Sequence, residues 1–230
     1  LFTTRTFKDG WVEIQDVGSQ LVSLLVDAKP GQKVVDFCAG AGGKTLSLAA
    51  QMDNKGRLLA WDISEKRMGQ MPKRLARAGV NNVQRHVLTS ETDPFIKRHK
   101  ASADRVLIDV PCTGSGTWRR NPDLKWRSTE QDLTEMQAIQ SAILNSAQRL
   151  VKPGGRLIYV TCSLYKEENE QQLDRFLDHH PDFALVSPRQ IWDKIPQSML
   201  GEDKPYLRLT PHRHGTDGFF AAIMEKTSES

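Results

Sequence analysis

Short runs rich in Val, Ile and Leu alternate along this chain with longer stretches whose apolar residues recur every three or four positions. The short runs have strand length and lie at 33–37 (KVVDF), 57–61 (RLLAW), 83–88, 104–109 (DRVLID) and 155–161 (GRLIYVT). The longer stretches predict amphipathic helices over 43–52, 64–78, 130–151 and 166–179. In 130–151 the residues Leu133, Met136, Ile139, Ile143, Ala147 and Leu150 follow the 3.6-residue period, and "KPGG" supplies the stop. Strands alternating with helices predict an α/β fold with a mostly parallel sheet covered on both faces. "YLRLTP" and "GFFAAIME" predict a closing antiparallel pair of strands, and "DVGSQLVSLLVDA" a helix ahead of the first strand. Residues 1–28 are therefore expected as a helical segment packed on a single domain over 29–230. The stretch 187–205 is irregular and expected to be a mobile loop. No internal repeat or low-complexity tract interrupts the pattern.

Composition adds little to this outline. With 38% hydrophobic and 26% charged residues, the chain has the makings of a soluble domain with a real core. No apolar stretch approaches bilayer length and no leader pattern is visible, so a cytoplasmic address and no membrane contact are expected. Three cysteines argue against a disulfide framework, and none has zinc-ligand spacing, so no metal is expected. A monomer is the expected state. The net charge of +4 is mild, but its distribution is not. Arg119, Arg120, Lys125 and Arg127 crowd one loop, and Lys97, Arg98 and Lys100 another, a pattern suited to a polyanionic partner.

The stretch "DFCAGAGGKT" follows the first strand and opens a helix. Glycines there let the backbone turn sharply and approach a ligand. The ending GKT suggests a phosphate loop, but that motif needs a glycine five positions before Gly43, where Cys38 stands. The dinucleotide pattern GxGxxG fails as well, with Thr45 in place of the third glycine. A looser turn for an adenosine cofactor remains. Asp62, at the end of the second strand, has the right separation to accept hydrogen bonds from both ribose hydroxyls. The plain alternative is a tight strand-to-helix turn with a solvated aspartate.

All three cysteines stand just past apolar runs. Ligands of parallel sheets bind beyond the carboxyl ends of the strands, so these thiols can gather on one face. Cys38 lies within the glycine turn and reads as a small buried hydrophobe. Cys112 follows "DVP" and Cys162 follows "YVT", both at strand ends. A thiolate can add to the electrophilic carbon 6 of a pyrimidine, which makes carbon 5 nucleophilic. That chemistry needs one nucleophile and does not say which cysteine it is.

These segments together resemble the catalytic domain of the Nop/Sun/Fmu family of S-adenosylmethionine-dependent RNA cytosine-5 methyltransferases. The resemblance runs from "WVEIQDVGSQLVSLL" to "GTDGFFAAIMEK" and rests most on "DFCAGAGGKT", "DVPCTGSGTWRRNPDLKW" and "TCSLYKEEN". "RRNPDLKW" is most similar to the RsmB-like branch, which modifies small-subunit ribosomal RNA and carries an N-terminal RNA-binding domain. The resemblance implies a Rossmann-like class I methyltransferase fold with a seven-stranded sheet. It implies that Cys38, Ala39, Gly40, Ala41, Gly42, Gly43 and Lys44 enclose the methionine part of the cofactor, with Lys44 toward its carboxylate. Asp62 would hold the ribose, Arg67 would join the cofactor-binding set, and Asp109 would lie beside both cofactor and target base. Gly40 and Ala41 replace the family's usual Ala-Pro. The family's aspartate after the third strand, which contacts adenine, has no counterpart in clear register in "VQRHVLTSET", so no adenine contact is assigned near 86–89. The resemblance also implies Cys162 as the nucleophile, with Cys112 assisting release.

Arg119, Arg120, Lys125 and Trp126 are the candidate RNA contacts, the cations for phosphates and the indole for stacking on a base. The alternative for this loop is a solvated charge cluster. For the whole chain the alternatives are a catalytically idle RNA-binding assembly factor, a methyltransferase acting on tRNA, and a nicotinamide oxidoreductase. The incomplete GxGxxG weighs against the last.

Overall fold

The computed structural model describes residues 1–200 and 205–228. Its strands are β1 (Lys33–Asp36), β2 (Arg57–Asp62), β3 (Val83–Val87), β4 (Ala103–Asp109), β5 (Val151–Thr161), β6 (Phe183–Val186), β7 (Leu207–Leu209) and β8 (Phe219–Lys226). They form one sheet in the order β3-β2-β1-β4-β5-β8-β6, parallel through β5. β8 pairs antiparallel with β5, and its other edge is shared. β6 occupies the Ile223–Lys226 end of that edge and β7 the Phe219–Ala221 end. Eight strands thus fill seven positions, and the expected closing pair is β7 with β8.

The helices are α1 (Val17–Leu24), α2 (Gly43–Gln51), α3 (Glu65–Met68), α4 (Met71–Arg77), α5 (Glu130–Ala147) and α6 (Glu170–His179), with shorter turns between them. Alternation along each strand separates two apolar cores. Val35, Val106, Ile108, Leu157 and Tyr159 face the core that holds Ile143, Leu144 and Ala147 of α5 and Leu173 and Phe176 of α6. Val34, Leu107, Ile158 and Val160 face the core that holds Val22 of α1 and Leu48 of α2. α5 opens on a reciprocal cap, in which Thr129 and Asp132 satisfy each other's backbone N–H groups.

Several boundaries differ from the sequence pattern for local reasons. The helix over 64–78 is broken at Gly69 and Gln70, and Pro72 sits in the first turn of α4, where its missing N–H is harmless. The long helix ends at Ala147, and β5 begins at Val151 rather than 155, because Val151 pairs with Ala103. The sheet absorbs Pro153 and its two glycines as a register shift opposite Ala103–Arg105. α6 starts at Glu170, since Glu168 and Asn169 are buried and hydrogen-bonded in the loop before it. β6 was not expected at all.

Within residues 1–28 only Arg5–Lys8 and α1 are helical, and α1 packs on α2 and β8. Glu13, on the extended stretch between them, pairs with Arg74 and Arg77 of α4. In the irregular stretch, residues 187–200 hold the turns Pro188–Gln190 and Gln197–Met199, while positions 201–204 lie outside the described residues. No helix among the described residues is long and apolar enough to cross a membrane.

Candidate active site

The strand order reverses between β1 and β4, and a crevice opens there at the carboxyl ends of the strands. The loop from Cys38 to Gly43 turns β1 into α2 on one side of it. Gly40 and Gly42 hold φ of +53° and +87°, the left-handed region that other residues avoid. A β-carbon at Gly40 would also lie 2.6 Å from a guanidinium nitrogen of Arg67, so Arg67 lies directly over the turn. Asp62 at the end of β2 is 6% exposed. One of its oxygens accepts the Gly40 N–H at 2.8 Å and the other the Ser64 N–H at 2.7 Å. Each carboxylate oxygen keeps a further lone pair for a ligand hydroxyl. The loop and the acid are thus one hydrogen-bonded unit, not a turn with a solvated aspartate.

A cavity of about 530 Å³ opens between this unit and the ends of β3, β4 and β5, lined among others by Cys38, Asp62, Arg67, Asp109, Cys112 and Cys162. Lys44, in the first turn of α2, donates to Asp109 Oδ2 at 2.6 Å. Burial works against the Lys44 ammonium, but Asp109 outweighs it and holds the Lys44 pKa above its ordinary value. Below them Asp36 is fully buried and accepts the Thr45 hydroxyl at 2.7 Å, while its other oxygen has no partner. Burial pushes the Asp36 carboxyl up to about 7.

The two remaining cysteines meet. Cys112, aimed by Pro111, places its sulfur 3.3 Å from that of Cys162, which leaves the end of β5. Donation from the Cys112 thiol holds the Cys162 pKa below the ordinary thiol value against the opposing effect of burial, and the Lys44 ammonium adds to the lowering. The same contact, together with burial, pushes the Cys112 thiol well above its ordinary range. Of the two thiols, Cys162 is therefore the one that ionises first, while Cys112 keeps its proton. Cys38 is pushed well above the ordinary value by burial and by the charges of Asp62 and Asp109, which suits a packing residue.

Buried neighbours fix both thiols. Glu168 accepts the Thr113 N–H at 2.9 Å, the Thr113 hydroxyl at 2.6 Å and the Gln140 amide at 2.9 Å, so the loop after Cys112 is tied to α5 and to the loop before α6. Gly116 donates its N–H to the Cys162 carbonyl at 2.9 Å and accepts from Gly218 N–H at 2.8 Å. A β-carbon on Gly116 would lie 2.5 Å from the Gly218 carbonyl and 2.7 Å from that of Cys162. Three backbone segments touch there without room for a methyl group.

The basic loop divides into two parts. Arg120 Nε donates to Asp217 Oδ2 at 2.6 Å, and Arg119 lies 3.6 Å from both Asp217 and Asp16. Asp217 is fully buried, so these arginines neutralise an interior charge while their outer parts stay half-exposed. Arg127 pairs with Asp123. Lys125 lies 5.8 Å from the Trp118 ring centre and 5.5 Å from that of Trp126, which is 82% exposed. Leu88 and Glu91 line the cavity beside β3, and Ile139 and Ile143 of α5 close its wall. Sequence pattern did not single out Glu91, Glu168, Gln140 or Asp217. Glu91 stands in the quoted "TSET" and Glu168 in "KEEN", but only the fold shows what each faces.

The comparisons with known proteins agree with this geometry. Residues 23–225 match the family described as 16S rRNA methyltransferase RsmB/F. The chain belongs to that family. RsmB/F relatives include the probable ribosomal RNA small subunit methyltransferase B of Synechocystis, 35% identical over 96% of this chain and 49% of its own length. The protein of the same name in Bacillus subtilis is 33% identical over 97% of this chain and 49% of its own length. The chain thus spans about half the length of the curated relatives it matches. Among solved structures, NSun6 from Pyrococcus horikoshii superposes with a TM-score of 0.87 at 28% identity, over the whole of this chain and 56% of that one. The fold is that of Rossmann-like class I methyltransferases, and the cofactor of the RsmB/F site is S-adenosylmethionine. The residues present fit it, with a glycine cradle, an acid at ribose-binding separation and a cavity of about 530 Å³ at the switch point.

Proposed function

We propose that the chain methylates carbon 5 of a cytosine in small-subunit ribosomal RNA through a covalent adduct on Cys162. The observation that supports this reading is the sulfur pair, 3.3 Å apart at the end of the crevice, with Cys162 the more readily ionised of the two. S-Adenosylmethionine, held by the Cys38–Lys44 loop, Asp62 and Arg67, supplies the methyl group. A base inside a duplex cannot reach a thiol at the bottom of a crevice, so the target nucleotide is unpaired or flipped. The Cys162 thiolate adds to carbon 6, and Asp109, anchored by Lys44, faces the base near nitrogen 3. After carbon 5 has taken the methyl group, water in the crevice takes the carbon 5 proton, and the electron pair of that bond restores the ring double bond and expels Cys162 as a thiolate. The Cys112 thiol keeps its own proton and donates to the departing Cys162 sulfur, which stabilises the leaving thiolate.

Incubation of protein, methyl donor and target RNA, resolved on a denaturing gel, tests the assignment. Cys162→Ala should lose both methylation and adduct. Cys112→Ala should still attack but release slowly, so the adduct accumulates. Accumulation with Cys162→Ala and loss with Cys112→Ala would reverse the roles. RNA binding without methylation by the unmodified protein would favour an idle assembly factor. Bisulfite sequencing of RNA from cells with and without the gene would identify the nucleotide, in ribosomal RNA or tRNA.

A further inference from the structure

Among the described residues a second concave region lies at the same end of the sheet as the thiols, on the far side of β8. It is a cleft of about 290 Å³ lined by Lys166, Glu170, Arg208, His212, Arg213 and neighbours. Arg208 is already committed, since it pairs with Glu170 and donates to the Leu164 carbonyl at 3.1 Å. Lys166 and Arg213 are exposed, and neither pairs with a carboxylate among the described residues. Among the described residues, the cleft therefore presents two cations without a salt bridge, beside the paired Arg208 and Glu170. Arg119 and Arg120, the cations that the sequence placed nearest the catalytic loop, face Asp217 instead.

Position links this cleft to the chemistry. Lys166 belongs to the Cys162 loop, four residues beyond the thiol, and the buried Glu168 and Asn169 hold that loop rigid. Arg208 ties β7 to the same loop through Leu164. Phe220 of β8 pairs with Thr161 on one side and Arg208 on the other, so β7 lies two strand spacings from the end of β5. That places the cleft roughly 10 Å to the side of Cys162.

We infer that Lys166 and Arg213 hold the phosphate backbone of the RNA strand next to the target nucleotide. The inference rests on the RNA reading above and assigns it a docking site. A single-stranded backbone is the polyanion that fits, because the target base is unpaired and its flanking phosphates must pass the wall of the crevice. Lys166, fixed to the catalytic loop, sets the register of the strand against Cys162.

The test is fluorescence anisotropy of a labelled single-stranded RNA over a series of salt concentrations. It compares the unmodified protein with Lys166→Gln/Arg213→Gln and with the distal pair Lys97→Gln/Lys100→Gln. Each phosphate contact on a single strand contributes about 0.7 to the log–log salt slope. The Lys166/Arg213 variant should lose about 1.4 from that slope while its melting temperature and S-adenosylmethionine affinity stay unchanged. An unchanged slope overturns the site, as does an equal loss in the distal variant, which would mean charge-driven binding without a preferred face. No salt-dependent RNA binding by the unmodified protein would instead sink the RNA reading itself. Should the double variant fail to fold, Lys166→Gln and Arg213→Gln singly should each lose about 0.7.

Discussion

If donation from the Cys112 thiol is what lowers the Cys162 pKa, removing it should change the titration of a residue it never contacts covalently. In Cys112→Ala the donor 3.3 Å from the Cys162 sulfur is gone, while the Lys44 ammonium remains. A hydrogen bond to a charged acceptor contributes about 1.5–3 kcal/mol, and a thiol is a weak donor, so the lower end applies. At 1.36 kcal/mol per pH unit, the Cys162 pKa should rise by about one unit. Below that pKa the thiolate fraction, and with it the rate of alkylation, should fall roughly tenfold at fixed pH. The assay is iodoacetamide labelling from about pH 6 to about pH 10, with the Cys162 peptide quantified by mass spectrometry. It needs neither RNA nor methyl donor. Cys112→Ser, whose hydroxyl still donates, should keep a midpoint close to that of the unmodified protein. A midpoint for Cys112→Ala equal to the unmodified one would show that the Cys112 thiol does not lower the Cys162 pKa.

Asp36 ionises at about 7 in the folded protein against an ordinary 3.8, so between those values the folded state binds more protons than the unfolded one. Stability from this group should therefore fall as pH rises from about 4 to about 7, by on the order of 4 kcal/mol. Urea denaturation at several pH values should show a flatter profile for Asp36→Asn, and matching profiles would exclude Asp36 as the source. Asp62→Ala should weaken S-adenosylmethionine binding at least about tenfold in calorimetry, the loss of one charged hydrogen bond. Unchanged affinity in the folded variant would remove Asp62 from the site. Arg120→Ala should lower stability by about 1–2 kcal/mol, because the buried Asp217 loses its nearest cation although that cation is half-exposed. Its salt slope for RNA should stay the same, and a lowered slope with intact stability would return Arg120 to the RNA surface.

What could be foreseen from the sequence follows physical range. Strands β1 to β5 and α2 are set by local periodicity, and the positions of Cys38, Asp62, Asp109, Cys112 and Cys162 follow from them once ligands are placed at strand ends. The extension of β5 across Pro153–Gly155 was hidden, because pairing with β4 overrides the local stop. β6 has four residues and exists only because β8 offers Ile223–Lys226 as an edge. The partners of the charges were hidden in the same way. Arg119 and Arg120 look free in sequence, and their partner Asp217 stands ninety-seven residues beyond Arg120. The effect of Cys112 on the Cys162 thiol depends on a contact across fifty residues that no spacing rule encodes.

The clamp of Gly116, Cys162 and Gly218 has a consequence for how the molecule is made. Gly218 leads into β8, which comes after every other strand in the chain yet lies between β5 and the β6–β7 edge. A ribosome adds about 5–20 residues per second, so the 58 residues from Asn169 to Lys226 take roughly 3–12 s to synthesise. For most of that interval both thiols have been made, but β5 is an open edge and the Gly116 carbonyl lacks the N–H of Gly218. The strand that completes the clamp contributes none of the candidate catalytic side chains. A nascent chain therefore carries both thiols before it carries the clamp that fixes them.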